Sequence, residues 1–265
     1  MSWPLDLWNF IRGPFQLLPP SPPPQSAPAA PVAKPPVAPP IPPATPAPSP
    51  PLARPSPSLP DSHGISDAAF NLIVTEEDSN AAYYTRHYEH FEWPEGASGP
   101  TIGIGFDCGY VTTAQARVDW DGFVDQNTIN AILLACGLRG VAAENWVRQH
   151  GGSVTITWDQ AIAQFRTREI PQWEAKCRAD LPNFDDLSPD CRGVLVSLAY
   201  NRGASFDLPG SRYAEMRAIR AHMIAKNFAA IPADILSMQR FWPKGGDLWN
   251  RRAHEATLFQ KGLSS

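Results

Sequence analysis

Proline decides where this chain can fold. Of its 30 Pro, 22 fall between Pro4 and Pro60, and the following 205 residues hold the other 8. Each Pro removes a backbone donor and fixes φ, so a stretch this rich in Pro sustains neither helix nor sheet. The packed part is therefore 62–265, about the size of one compact domain. Residues 19–61 form a Pro/Ala/Ser tract expected to be disordered and to favour extended polyproline II. At ~3.1 Å per residue it reaches at most roughly 130 Å, and it reads as a semi-rigid spacer. Residues 1–18 are a short apolar segment in which Trp3, Leu7, Trp8 and Ile11 fall at near-helical spacing between Pro4 and Pro14. That segment suits a docking or membrane-surface peptide, or simple disorder. It lacks a basic start and a small-residue cleavage site, and Asp6 and Arg12 interrupt it, so no cleavable signal peptide is read.

Charge narrows the partners. Residues 62–265 carry 19 Lys+Arg against 24 Asp+Glu, a net −5 that argues against a nucleic-acid binder relying on a basic field. No run approaches the ~18 apolar residues a membrane span requires, which excludes an integral membrane segment. Cys108, Cys136, Cys177 and Cys191 sit singly, without a C-x-x-C pair, and read as small buried hydrophobes of a reduced domain rather than as metal ligands or disulfides. His87 and His90 read as surface residues. No metal or cofactor is called for.

Ser66 reads as an N-cap, Asp67 suits a first turn, and Phe70, Ile73 and Val74 build one apolar helical face. Residues 80–110 lose that period and carry five Gly among aromatic and β-branched residues, which predicts a hairpin region. Helical patterns then resume. Thr157 with Gln160 makes a capping box before 158–169, and Pro171 breaks or kinks the helix there. Ser188-Pro189-Asp190 starts another helix that Gly203 stops, and further helices cover 211–226, 228–239 and 247–261. The class is α+β, mostly α-helical, with one small early sheet.

Glu77 is the first chemical candidate. It lies seven residues after Phe70, on the apolar face, where partial desolvation of a carboxyl favours its neutral, proton-donating form. Glu76, one step round the helix, is its rival, and the plainer reading is that both mark an exposed helix end. The second candidate is the run from Thr101 to Asp107, in which Gly103 and Gly105 strip side chains from the strand and let another molecule approach the backbone. A Gly-rich bend without a ligand would look the same. Most Trp fall on helical patterns and read as core, whereas Trp93, in the hairpin loop, is the one placed to stack on a ligand.

Helix–Glu77, Tyr84 seven residues later and TIGIG at 101–105 resemble the start of phage-type lysozymes, the muramidases of bacteriophage endolysins. LVSLAYNRG at 195–203 is similar to the family's long central helix, and DLWNRRAHEATLFQKG at 247–262 to its closing helix. The resemblance spans most of 66–262 with an expanded middle. It implies a lysozyme-like fold and hydrolysis of the β-1,4 bond between N-acetylmuramic acid and N-acetylglucosamine in bacterial peptidoglycan. By position, Glu77 would protonate the leaving oxygen, Thr101 would hold the attacking water, Arg251 would pair with Glu77, and Tyr200 and Asn201 would line the cleft.

One position departs from that pattern. The family's second carboxylate lies nine residues after the acid, where this chain has Arg86. Inverting glycosidases need such a second carboxylate, ~6.5–9.5 Å from the first. Asp107, six residues after Thr101, is the expected replacement, as in pesticin-like bacteriocin muramidases, with Glu92 and Glu95 on the expanded loop as the alternatives. Loss of the usual carboxylate leaves two competing readings, a non-catalytic peptidoglycan-binding module and a lytic transglycosylase. The implied site of action is the periplasm or cell wall. The protein would be made in the cytoplasm and released by lysis or a non-classical secretion route, with the N-terminal segment available to dock to a carrier.

Overall fold

A computed structural model describes residues 64–78 and 80–264. The apolar segment 1–18 and the Pro-rich tract 19–61 lie outside the described residues. The first helix, α1 (Asp67–Asp78), starts where Ser66 Oγ accepts the Ala69 amide at 3.1 Å. A second, α2 (Ala81–His87), follows at once, capped by Asn80 Oδ1 on the Tyr83 amide at 3.0 Å. The expectation of a non-helical stretch from residue 80 is corrected here. Seven residues are too few to show a helical period, and the Asn80 cap stabilises what periodicity cannot reveal. Tyr84, fully buried, anchors α2 by donating its hydroxyl to Ile156 O at 2.9 Å and lying edge-on to Trp158.

The only sheet among the described residues is small. Strands β1 (Thr101–Ile102) and β2 (Phe106–Asp107) are antiparallel, with Thr101 opposite Asp107 and Ile102 opposite Phe106. Glu92 adds an isolated antiparallel bridge on the other edge of β1, exchanging both backbone hydrogen bonds with Thr101 at 2.9 and 2.8 Å.

Helices fill the rest: α3 (Thr113–Trp120), α4 (Gln126–Ala135), α5 (Val141–His150), α6 (Trp158–Gln164), α7 (Ile170–Asp180), α8 (Pro189–Arg202), α9 (Ala214–Ile224), α10 (Ile231–Ser237) and α11 (Asp247–Gly262). The Thr157–Gln160 capping box opens α6. Pro171 does not end the helical path. A π-helical segment, Phe165–Glu169, passes directly into α7, with the Ile170 amide reaching Phe165 O. The widened turn lets the chain run through a residue that brings no amide of its own.

Helix α8 is the axis of the packing. From Gly193 to Arg202 every residue is buried, enclosed by α1, α7 and α11. Ser188 caps its start on the Cys191 amide at 3.3 Å, and Gly203 stops it at φ 78°. Its crossing with α1 depends on Gly193: a Cβ there would sit 2.1 Å from that of Ala69. No side chain larger than hydrogen fits that contact.

Candidate functional site

Glu77 stands at the last turn of α1 with its side chain 16% exposed, and the buried Arg251 of α11 donates Nη1 to its Oε1 at 2.6 Å. Arg251 does not depend on Glu77 for its place. Its Nε reaches Glu255 Oε1 at 3.2 Å and its Nη2 reaches Ser197 Oγ at 3.0 Å. Burial opposes the Arg251 charge, but Glu77 and Glu255 beside it more than offset that and hold its pKa above the ordinary value. Glu76 turns the other way, to the exposed His254 at 2.8 Å. The two neighbouring glutamates therefore differ: Glu77 rests on a buried cation and Glu76 on an exposed imidazole ring.

The hairpin is tied to the same helix that holds Arg251. Tyr200 donates its hydroxyl to Ile104 O at 3.2 Å, and its ring packs edge-on against Phe165 and Trp173. Ser197 and Tyr200 are three residues apart on α8, which is one face of a helix and about 4.5 Å of rise. Glu77, through Arg251, and the β1–β2 turn, through Tyr200, thus converge on one short stretch of α8. Asn201, the next residue, is buried beside them.

Opposed residues in antiparallel strands carry their side chains to the same side of the sheet. Glu92, Thr101 and Asp107 therefore form one row across the Glu92 bridge, β1 and β2. The two Asp/Glu members of that row are employed differently. Asp107 is 2% exposed, and its Oδ1 accepts the amides of Gly99 and Gly109 at 3.0 and 2.8 Å. It caps the turn Cys108–Tyr110 and ties it to the loop before β1. Asp107, expected from sequence as the water-activating carboxylate, is held through Oδ1 as a strut, because a short Asp two residues before a Gly amide closes such a turn readily. Glu92 is half-buried, and among the described residues no donor reaches its carboxyl. Burial pushes its pKa up from 4.5 to about 8. Thr101 sits between them, buried, its hydroxyl donating to Gly99 O at 3.3 Å.

Gly103 is also placed differently from the sequence expectation. The space its missing side chain leaves is filled by the Trp120 ring, whose Cη2 would lie 2.9 Å from an added Cβ. Its bare side belongs to the core, not to a ligand surface. Trp93 lies half-buried on the loop next to Glu92, its indole donating to Ser98 O at 3.1 Å, and Glu95 is exposed at the loop tip with φ 74°.

Sequence reasoning missed Ser197 and Glu255. Glu255 follows Arg251 by four residues, the spacing of a helical ion pair, and Ser197 precedes Asn201 by four on the face that carries Tyr200. Both signals were present but indistinguishable from surface pairs until burial was known.

The strut role of Asp107 has a measurable consequence. Asp107→Ala strands two buried amides and is expected to cost about 2–4 kcal/mol. Thermal melting and any activity of the protein should then fall together. Lost turnover at an unchanged melting temperature would return Asp107 to the reacting groups.

The chain matches no known protein-family model, and no curated protein matches it.

Proposed function

We propose that this protein is a peptidoglycan muramidase that cleaves the β-1,4 bond between N-acetylmuramic acid and N-acetylglucosamine, with Glu77 and Glu92 as its two carboxyl groups. The observation that carries this reading is the convergence on α8: Arg251 fixes Glu77 there, and Tyr200 fixes the hairpin row of Glu92 and Thr101 three residues away. A carboxyl on a rigid helix end, with a second carboxyl and a hydroxyl on a short sheet anchored to the same helix α8, supplies the groups that acid–base cleavage of a glycoside needs. Glu77 delivers the proton to the leaving oxygen. Glu92 takes the proton of a water that Thr101 helps to hold, the role the sequence assigned first to Asp107. Trp93, beside Glu92, offers a face on which a sugar ring can stack. Resemblance to phage-type lysozymes in the stretches around Glu77, 195–203 and 247–262 supports the muramidase reading and the role of Glu77, as does the helical character of the domain.

Digestion of purified peptidoglycan, followed by product mass, tests the proposal. New reducing ends support a muramidase. Anhydro ends would make the protein a lytic transglycosylase, and intact strands would make it a binding module.

The carboxyl environment sets a pH dependence. With its pKa raised to about 8, Glu92 is protonated at neutral pH in the free protein and becomes a base as pH rises through that value. The base form of Glu92 grows as pH rises to about 8, and Glu92→Gln is expected to lose at least ~10²-fold in rate. Stability should move the opposite way. Between 4.5 and about 8 the unfolded chain releases the Glu92 proton while the folded chain keeps it, so wild-type stability declines as pH rises across that window. Glu92→Gln should therefore raise the melting temperature at pH 8 relative to wild type. A variant that is both fully active and no more stable would overturn the role given to Glu92.

A further inference from the structure

Two cysteines that the sequence presents 28 residues apart are brought side by side. The turn Cys108–Tyr110, which follows β2, runs along residues 137–139 just beyond α4. The Gly137 amide donates to Cys108 O at 2.9 Å, Leu138 O would lie 2.7 Å from a Cβ on Gly109, and the Arg139 guanidinium sits over the Tyr110 ring at 5.0 Å. Three consecutive residues of each segment are in register. Cys136 stands at the head of that contact, next in sequence to the Gly137 amide that bonds Cys108 O, with its own thiol donating to Ile132 O at 3.3 Å.

The two sulfurs are not equivalent. Cys108 is completely buried, whereas Cys136 is partly exposed. Burial, reinforced by Cys136, pushes the Cys108 thiol well above its ordinary pKa, while the hydrogen bond from Cys108 lowers that of Cys136 against its own burial. A partly exposed thiol with enhanced thiolate character beside a buried partner is the division between attacking and resolving sulfur in thiol–disulfide exchange. Cys177 and Cys191 are each buried apart from the pair and hydrogen-bond to backbone carbonyls, Leu195 O and Phe259 O.

We propose that Cys108 and Cys136 are a dithiol pair that closes to an intramolecular disulfide when the folded protein meets a disulfide oxidant, stapling the end of the Glu92–Thr101–Asp107 sheet to α4. The Cys136 thiolate attacks one sulfur of the oxidant, forming a mixed disulfide and releasing one thiolate. Cys108 then gives up its proton and attacks Cys136 Sγ, the protein disulfide forms, and the second thiolate leaves. Two electrons pass to the oxidant, which is reduced to two thiols. The pair is separate from any glycan reaction, and its readout is sulfur chemistry alone.

Oxidised glutathione is the probe. The full-length folded protein is incubated with it, quenched by alkylation under denaturing conditions, and mapped by mass spectrometry. The expected result is two alkyl groups per chain in place of the reduced protein's four, a single peptide linking Cys108 to Cys136, and, before the quench, a melting temperature higher by several degrees. In Cys108→Ala a glutathione adduct should accumulate on Cys136, since nothing resolves it, and in Cys136→Ala neither adduct nor disulfide should form. Survival of all four thiols in the wild type, a glutathione adduct as its only product, or a bridge between two copies would each overturn the proposal. The wild-type map decides the matter even where a variant fails to fold.

Discussion

Glu77→Gln is expected to reduce peptidoglycan cleavage by at least ~10²-fold while the domain stays folded. The substitution removes the transferable proton and almost no volume. Arg251 would lose one carboxylate but keep Glu255 Oε1 and Ser197 Oγ, so the cation remains partnered within the core. The fitting control is Glu76→Gln, which removes the contact with the exposed His254 but leaves the Glu77–Arg251 pair in place and should retain most of the rate. Rates on purified sacculi, read beside thermal melts of both variants, decide the point. Near-normal cleavage by Glu77→Gln with a dead Glu76→Gln would move the acid by one residue.

Glu255→Ala is expected to be the most damaging single change to stability. Glu255 is fully buried, and its Oε1 alone accepts from Ser197 Oγ at 2.6 Å, Arg252 Nη2 at 2.9 Å and Arg251 Nε at 3.2 Å. Arg252 is also fully buried, and burial already pushes its pKa down to about 10. Removing the carboxylate leaves both guanidiniums in a dry environment with their mutual repulsion less compensated. Breaking such a buried network typically costs ~3–5 kcal/mol. In a domain of this size that lowers the melting temperature by roughly 10 °C. Catalysis should suffer as well, below the melting transition, because Arg251 would no longer hold Glu77 in one orientation. A melting temperature within a degree or two of wild type would show that water compensates the arginines.

Helix starts were the most legible part of the fold. Ser66, Thr157 and Ser188 announce themselves because a cap is a local event, written in three or four adjacent residues. Helix α2 was not legible, since its stability comes from Tyr84 reaching across to Ile156 and Trp158, more than seventy residues away. Glu77 could be singled out because a carboxyl on an apolar stripe is a visible contradiction in the sequence. The structural part that Asp107 plays was not legible for a different reason. Asp107 and Glu92 are both acids near a Gly-rich strand, and only the strand register and the Gly99 and Gly109 amides show that one is a strut. Gly103 misled in the same way: a missing side chain does not reveal whether a ligand or, as here, Trp120 fills the gap.

The burial of α8 on all sides bears on how sequences of this kind can change in length. One residue inserted between Ser197 and Tyr200 would turn the downstream part of the helix by about 100° relative to the upstream part. Arg251 and Ile104 could then no longer both find their partners on it. The hairpin loop that carries Trp93 and Glu95, and the connection between α3 and α4, face no such constraint, because they can lengthen without moving either anchor. Insertions and deletions in related chains should therefore accumulate there and be absent from 193–202, even where substitutions within that helix are tolerated.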